Sequence, residues 1–308
     1  MNLDANYFAV VFNSTIRMMT PILFVAIGSG LCNRVFIFNV GLEGMMLSGC
    51  FAAIAVNFYT GSVMASVLAA MLTSCLVALI AGVFMVKFKG AMLVVGVSIN
   101  MLISGLTTFF MQIVFGVQGA YVSPSLASLP KVNVDFLKSN SILYTMFSSL
   151  TFLDLFAFVV AVLAYFFLFK TVAGFRLRSV GINKPAAESL GIKAERIQIL
   201  TIAFSGLLSG LGGCLLVMGG VTLFAQNITS GRGFIAMAAA SLGSAHPLGT
   251  IAACAFFGFA QSIANILQNT NMSSELTMLI PYAATIVSLA LFQGLKKRRV
   301  HRRRLSRQ

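Results

Sequence analysis

Charge is what this sequence has least of. Only 9% of its 308 residues are charged, 58% are hydrophobic, and the acids number seven. Soluble domains carry roughly 25% charged residues, so an ordinary water-facing surface is excluded. The five cysteines (Cys32, Cys50, Cys75, Cys214, Cys254) show no paired spacing, which leaves no disulfide framework and no metal-ligand set. They read as small buried residues. The two histidines stand apart, His246 beside Pro247 in a loop and His301 in a basic tail. An intramembrane enzyme needs a clustered constellation such as paired aspartates or a His-rich metal site, and none is present. No GxxxxGK[ST] phosphate-cradling loop occurs, so the chain is expected not to hydrolyse ATP and to need neither cofactor nor metal. No basic stretch leads the first apolar run, and the first positive charge is Arg17; a cleavable signal peptide is not expected.

Long apolar runs are what is there. A spanning helix needs about 20 mostly apolar residues, and candidate spans lie near 8–31, 40–58, 63–86, 91–116, 147–169, 198–219, 247–268 and 275–294. A further apolar piece at 234–243 is too short to cross unaided. The runs are continuous rather than alternating, which excludes a β-barrel. The expected fold is all-α: a polytopic helical membrane protein with eight to ten transmembrane helices, some broken or re-entrant, and nine if the short piece crosses as a broken helix.

The net charge of +14 would fit nucleic acid until it is placed along the chain. The tail KKRRVHRRRLSRQ (296–308) follows the last span directly and holds eight basic residues. Cytoplasmic flanks of membrane helices are enriched in Lys and Arg, so the tail is expected inside, attracted to anionic membrane lipid, with no nucleic-acid partner. Residues 1–295 then form one transmembrane domain. Alternating the spans backward puts Arg34, Lys87, Lys89, Lys170, Arg176, Arg178, Lys184, Lys193 and Arg196 on the same side. Lys131, Lys138 and Arg232 fall outside. A polar, turn-rich stretch at 117–144 is external on this reading, either receiving a soluble partner or capping the helices.

Charges inside a bilayer are rare and face the bundle interior; here they are Arg17, Glu43 and Asp154. Glu43 opens a helix just after Asn39, a plausible cap, and near Arg34. The helix dipole favours a carboxylate there, so Glu43 is either a structural cap or a polar contact at a passage, with Gly41 and Gly44 allowing close backbone approach. Arg17 either pairs with Asp154 across helices or leaves Asp154 at the membrane edge, and the sequence leaves both open. Asn100, Ser104, Thr108 and Gln112 recur every four residues along one helix face, and Gln261, Asn265 and Gln268 lie along a face of another. Unsatisfied amides in lipid are costly, so both stripes are expected to face protein or water, bonding between helices or lining a path for a neutral polar solute.

The longest charged loop, at 170–197, contains NKPAAESLG (183–191). Asn183 suits an N-cap, Pro185 the first turn and Gly191 the C′ position of a short helix. Its Ala186–Ala187–Glu188 and Leu190–Gly191–Ile192 resemble the cytoplasmic coupling loop of ABC-importer permeases. The following ILTIAFSGLLSGLGG (199–213) is similar to the small-residue helix after that loop in the branched-chain amino acid, ribose and nucleoside class. FNVGLEGMMLSG (38–49) and GRGFIAMAAASLGSAHPLG (231–249) resemble two glycine-led segments of the simple sugar and nucleoside permeases, in the same order. The resemblance implies a division of labour. The permease pairs with itself or a homologous second permease chain, a separate ABC ATPase subunit supplies energy, and an extracytoplasmic substrate-binding protein or lipoprotein delivers solute. It places the chain in a bacterial cell membrane and makes Lys184, Pro185, Glu188, Leu190 and Gly191 the contact with the ATPase. A secondary transporter driven by an ion gradient is the alternative; seven acids, few of them within spans, give it little to relay protons or ions with.

Overall fold

The computed structural model describes residues 5–124, 126–132 and 141–268, together with position 283. The expected span at 275–294, the basic tail and Lys138 lie outside the described residues. Eleven helices and two short strands follow in the order α1 (Ala5–Arg34), α2 (Leu42–Thr60), α3 (Val63–Val86), α4 (Met92–Phe115), β1 (Ala120–Val122), α5 (Ser141–Phe147), α6 (Phe152–Lys170), α7 (Val172–Ile182), α8 (Lys184–Ser189), α9 (Ala194–Met218), β2 (Leu223–Ala225), α10 (Arg232–Leu242) and α11 (Pro247–Gln268). Among the described residues seven helices (α1, α2, α3, α4, α6, α9 and α11) are long and apolar enough to cross a membrane. The all-α polytopic architecture is therefore as expected. To the helices is added a two-stranded antiparallel ribbon of β1 and β2, with Tyr121 opposite Phe224.

Local chemistry sets the helix ends. Thr151 and Asp154 form a reciprocal capping box at the start of α6, satisfying two of the donors that every helix N-terminus leaves free. Glycines in left-handed backbone, Gly61 and Gly116, stop α2 and α4.

The core is built on α9, which runs antiparallel to α1. Pro21 of α1 faces Gly212, Gly28 faces Ser205, and the Cys32 thiol meets the Thr201 carbonyl. On its other side α9 packs against α3, where Ala70, Ser74 and Ala78 meet the four-spaced Gly206 and Gly210. A Cβ at Gly210 would lie 2.9 Å from the Met71 Cα and closer still to the Ala70 carbonyl. Lipid tails are as apolar as leucine, so helices in a membrane adhere through such close backbone approach rather than through hydrophobic exclusion from water.

Two helices, α2 and α10, meet inside the bundle at their N-termini. The far end of α2 reaches the C-terminal end of α9, where Asn57 lies against Met218. The far end of α10 reaches the opposite end of the bundle, where the Ala245 carbonyl meets Arg34 at the C-terminus of α1. Their N-termini meet between these ends. The apolar piece expected at 234–243 is thus an eleven-residue helix that starts inside the protein. It does not cross on its own.

Candidate functional site

Glu43 lies at that meeting point. It sits in the first turn of α2 and is only 8% exposed. Its Oε1 accepts the Gly231 N–H at 2.8 Å and its Oε2 the Gly233 N–H at 2.7 Å. Gly231 is the N-cap of α10, in left-handed backbone and with no cap from its own side chain. One carboxylate therefore lies at the positive ends of two helix dipoles and fills donor sites that α10 leaves open. These charge-assisted bonds compensate its burial. Gly233 has to be glycine here, since a Cβ would stand 2.6 Å from the Glu43 backbone nitrogen.

The start of α2 is fixed by amides from two more directions. Asn100 of α4 accepts the Gly44 N–H at 2.8 Å and donates to the Val40 carbonyl at 3.0 Å. Asn39 accepts the Gly41 N–H at 3.2 Å and donates to the Ser205 hydroxyl of α9 at 3.2 Å. Three expectations are corrected. The N-cap of α2 is Gly41, and Asn39, two residues earlier, accepts the Gly41 N–H in a turn instead of capping. Arg34 does not accompany Glu43; it donates to the carbonyls of Ala245 and Ser244 at 2.9 and 3.2 Å. Asp154 takes its hydrogen bonds from Thr20 and Thr151, not from Arg17: the capping box engages Oδ2 and the Thr20 hydroxyl engages Oδ1.

The α4 stripe continues outward from Asn100. The buried face of α4 carries Gly96, Ile99, Ile103, Thr107 and Met111, and the stripe flanks it. Asn100 and Ser104 are half-buried, Thr108 and Gln112 exposed. Its far end meets the residues around the ribbon, where Gln226 donates to Thr108 at 3.2 Å and Gln118 to Gln112 at 3.4 Å. A polar track thus joins the mid-protein junction of α2 and α10 to one end of the bundle. The second stripe does not belong to it. On α11, Gln261 and Asn265 are half-buried and Gln268 exposed, and Asn265 donates to the Met18 sulfur of α1 at 3.5 Å. The main body of the protein stands between the two stripes, since α4 packs on α2 and α3 while α11 packs on α1, α10 and α6.

The 183–191 segment forms α8 with its ends set as its residue types require. Asn183 accepts the Ala186 N–H at 3.1 Å, Pro185 lies in the first turn, and Gly191 is left-handed at φ 77°. Ala187 buries itself against Val180 and Ala194. Lys184 donates to Gln198 at 3.3 Å, and Gln198 donates to the Val35 carbonyl at 3.2 Å, which ties α8 to the end of α1. Pro185, Glu188, Leu190 and Gly191 remain exposed, Leu190 at 80%.

Sequence reasoning missed Asn57, a buried amide of α2 that donates to the Ala127 carbonyl at 2.7 Å and accepts its N–H at 3.0 Å, pinning the loop after β1. It also missed Gln226. The signal available for Asn57 was its isolation, a lone amide within an apolar run; Gln226 sits in a loop with nothing to mark it.

Residues 11–289 match the family described as the permease component of the branched-chain amino acid transport system. The chain belongs to this permease family. It is 32% identical to a guanosine ABC transporter permease protein, NupQ of Bacillus subtilis (strain 168), covering 93% of this chain and 92% of that one. It is 31% identical to a nucleoside ABC transporter permease protein, NupC of Lactococcus lactis subsp. cremoris (strain MG1363), over 94% of both. A putative glucose ABC transporter permease protein, TsgC13 of Haloferax volcanii, is 25% identical over 92% of each chain. The relatives are transporter permease subunits rather than enzymes, and this permease, like them, is a multi-pass membrane protein.

Proposed function

We propose that this permease is the membrane-spanning subunit of a bacterial ABC importer for nucleosides, lying in the cell membrane with its C-terminus in the cytosol. The observation that carries the solute class is the 32% identity, over nearly the whole of both chains, to a permease named for guanosine. The geometry fits an uncharged solute. Its polar track is made of amides and hydroxyls, and the carboxylate at its inner end, Glu43, spends both oxygens on backbone donors. Such a carboxylate is poorly suited to relaying an ion, and Asp154 is equally committed. No observation therefore favours the ion-gradient alternative.

In this reading Glu43 works as a hinge pin. It clamps the starts of α2 and α10, whose other ends reach opposite faces of the membrane, and it couples their movement. Asn100, Ser104, Thr108 and Gln112 line the passage, and the exposed part of that stripe faces water or a second permease chain instead of lipid. Asn39 steadies the clamp. Gln261, Asn265 and Gln268 serve helix packing. On the cytosolic side Lys184, Pro185, Glu188, Leu190 and Gly191 dock on the ATPase subunit, and the Lys184–Gln198–Val35 chain passes its motion to α1. A substrate-binding protein or lipoprotein docks on the outer face near the ribbon.

The test is reconstitution of the permease in vesicles with its ATPase, second permease chain and binding protein. ATP-dependent uptake of labelled guanosine that disappears when the ATPase is omitted is the expected result. Uptake at full rate without it, or uptake of ribose but no nucleoside, overturns the proposal.

A further inference from the structure

Two arginines share one aromatic ring at the end of the bundle that carries α7 and α8. The guanidinium carbon of Arg34 lies 5.7 Å from the centroid of Phe169, and that of Arg178 lies 5.0 Å from it. Their like charges repel one another. Arg34 is partly satisfied by the carbonyls of Ala245 and Ser244. Arg178 is not: its Nε is buried without any hydrogen-bond partner. An unmade bond at a buried charged donor is costly, and among the described residues neither guanidinium has a carboxylate partner.

The backbones that carry the pair are held close together. Gly181, one turn beyond Arg178 on α7, has its backbone pressed on the Arg34 carbonyl so closely that no Cβ fits. Between the two arginines opens a recess of about 320 Å³, which Asn33 and Ser179 also line. Phe175 and Ile182 form an apolar rim, Ile182 being 85% exposed.

We propose that Arg34 and Arg178 hold a phosphate group in this recess, supplied by the headgroup of an anionic lipid or by free phosphate. The planar guanidinium fork matches phosphate geometry and donates through charge-assisted bonds. A phosphate there removes the repulsion and offers acceptors to the guanidinium groups that line the recess, while Asn33 and Ser179 offer neutral donors beside it. The apolar rim suits the glycerol and upper acyl region of a lipid. The cytosolic leaflet is the anionic one, and only that choice of leaflet rests on the orientation proposed above. Once bound, the anion joins the end of α1 to α7, and so stiffens the support of α8.

The experiment uses the full-length chain in phosphatidylcholine nanodiscs, as wild type, Arg178→Gln, Arg178→Lys and the charge control Arg176→Gln. One arm exchanges phosphatidylglycerol into the disc and counts retained lipid by native mass spectrometry. The other adds inorganic phosphate to the phosphatidylcholine disc and follows the thermal midpoint, with no ATPase present. Wild type and Arg176→Gln are expected to hold the anion at least about tenfold more tightly than Arg178→Gln. Arg178→Lys, which keeps the charge but loses the fork, falls between them and serves as the readout if Arg178→Gln does not fold. Retention in the first arm alone names a lipid; a midpoint shift in the second names free phosphate. The proposal is overturned if neither anion separates wild type from the Arg178 variants, or if Arg176→Gln loses as much. It is equally overturned if Arg178→Gln binds both anions as wild type does.

Discussion

The carboxylate of Glu43 accepts the Gly233 N–H at 2.7 Å, and the same glycine leaves no room for a methyl group against the Glu43 backbone. One contact thus fixes both the charge and the spacing between α2 and α10. Glu43→Gln keeps the shape but turns an amide donor toward one of two backbone donors. The expected cost is about 1.5–3 kcal/mol, the range for hydrogen bonds to a charged group, read as a lower thermal midpoint in detergent. ATP-driven uptake should fall while membrane insertion persists. Unchanged uptake and solute range would end the hinge-pin reading.

Gly233→Ala tests the spacing while leaving the residue that carries the charge in place. With a Cβ 2.6 Å from the Glu43 nitrogen, α10 has to shift, and overpacking of this kind costs about 1–3 kcal/mol. The double variant Glu43→Gln/Gly233→Ala should lose less than the sum of the two, because displacing α10 already breaks the bonds that the glutamine weakens. Full additivity would mean that the two residues are not one unit.

The track on α4 separates structural from solute-facing amides. Asn100→Ala removes two part-buried bonds at the start of α2 and is expected to destabilise by about 1–3 kcal/mol. Gln112 is exposed, and Gln112→Ala should change stability by no more than about 0.5 kcal/mol while raising the KM of uptake. Equal effects of both substitutions on the thermal midpoint, with no effect of Gln112→Ala on uptake, would remove Gln112 from the passage.

How much of this was legible in the sequence follows from what periodicity records. The span at 63–86 is α3 to the residue, because an uninterrupted apolar run between Ser62 and Lys87 carries its own limits. The α8 grammar was equally readable, since capping is local: Asn183 and Gly191 act within a few residues of themselves. The partners of Glu43 were not readable, because Gly231 lies 188 positions away and a glycine that donates only its backbone leaves no chemical mark. The same limit explains the Arg17–Asp154 expectation. Asp154 is satisfied locally by Thr151 and across the bundle by Thr20, and charge alone would not have pointed to a threonine. Two polar stripes looked alike as sequence, yet helix periodicity says nothing of which neighbour a face meets, and only the tertiary arrangement separates the α4 track from the α11 packing face.

The coupling role of α8 gives the last prediction. Six residues are too few for a helix to persist alone in water, so α8 depends on its caps and on Ala187 buried against Val180 and Ala194. Gly191 holds φ at 77°, and Gly191→Ala strains that cap by about 1 kcal/mol. The side chain of Glu188 is exposed, so its loss should not affect folding. In Glu188→Ala/Gly191→Ala the chain should insert and melt within about 1.5 kcal/mol of wild type, because the strained turn is local and solvent-facing. ATP hydrolysis by the assembled complex should then continue with uptake reduced at least tenfold, a separation that a folding defect does not produce, since misfolded permease would lose both together. Measuring hydrolysis and uptake on the same vesicles decides the matter. Coupled rates equal to wild type would mean that the ATPase is engaged elsewhere, and the exposed Leu190 and Ile182 would then be the side chains to replace next.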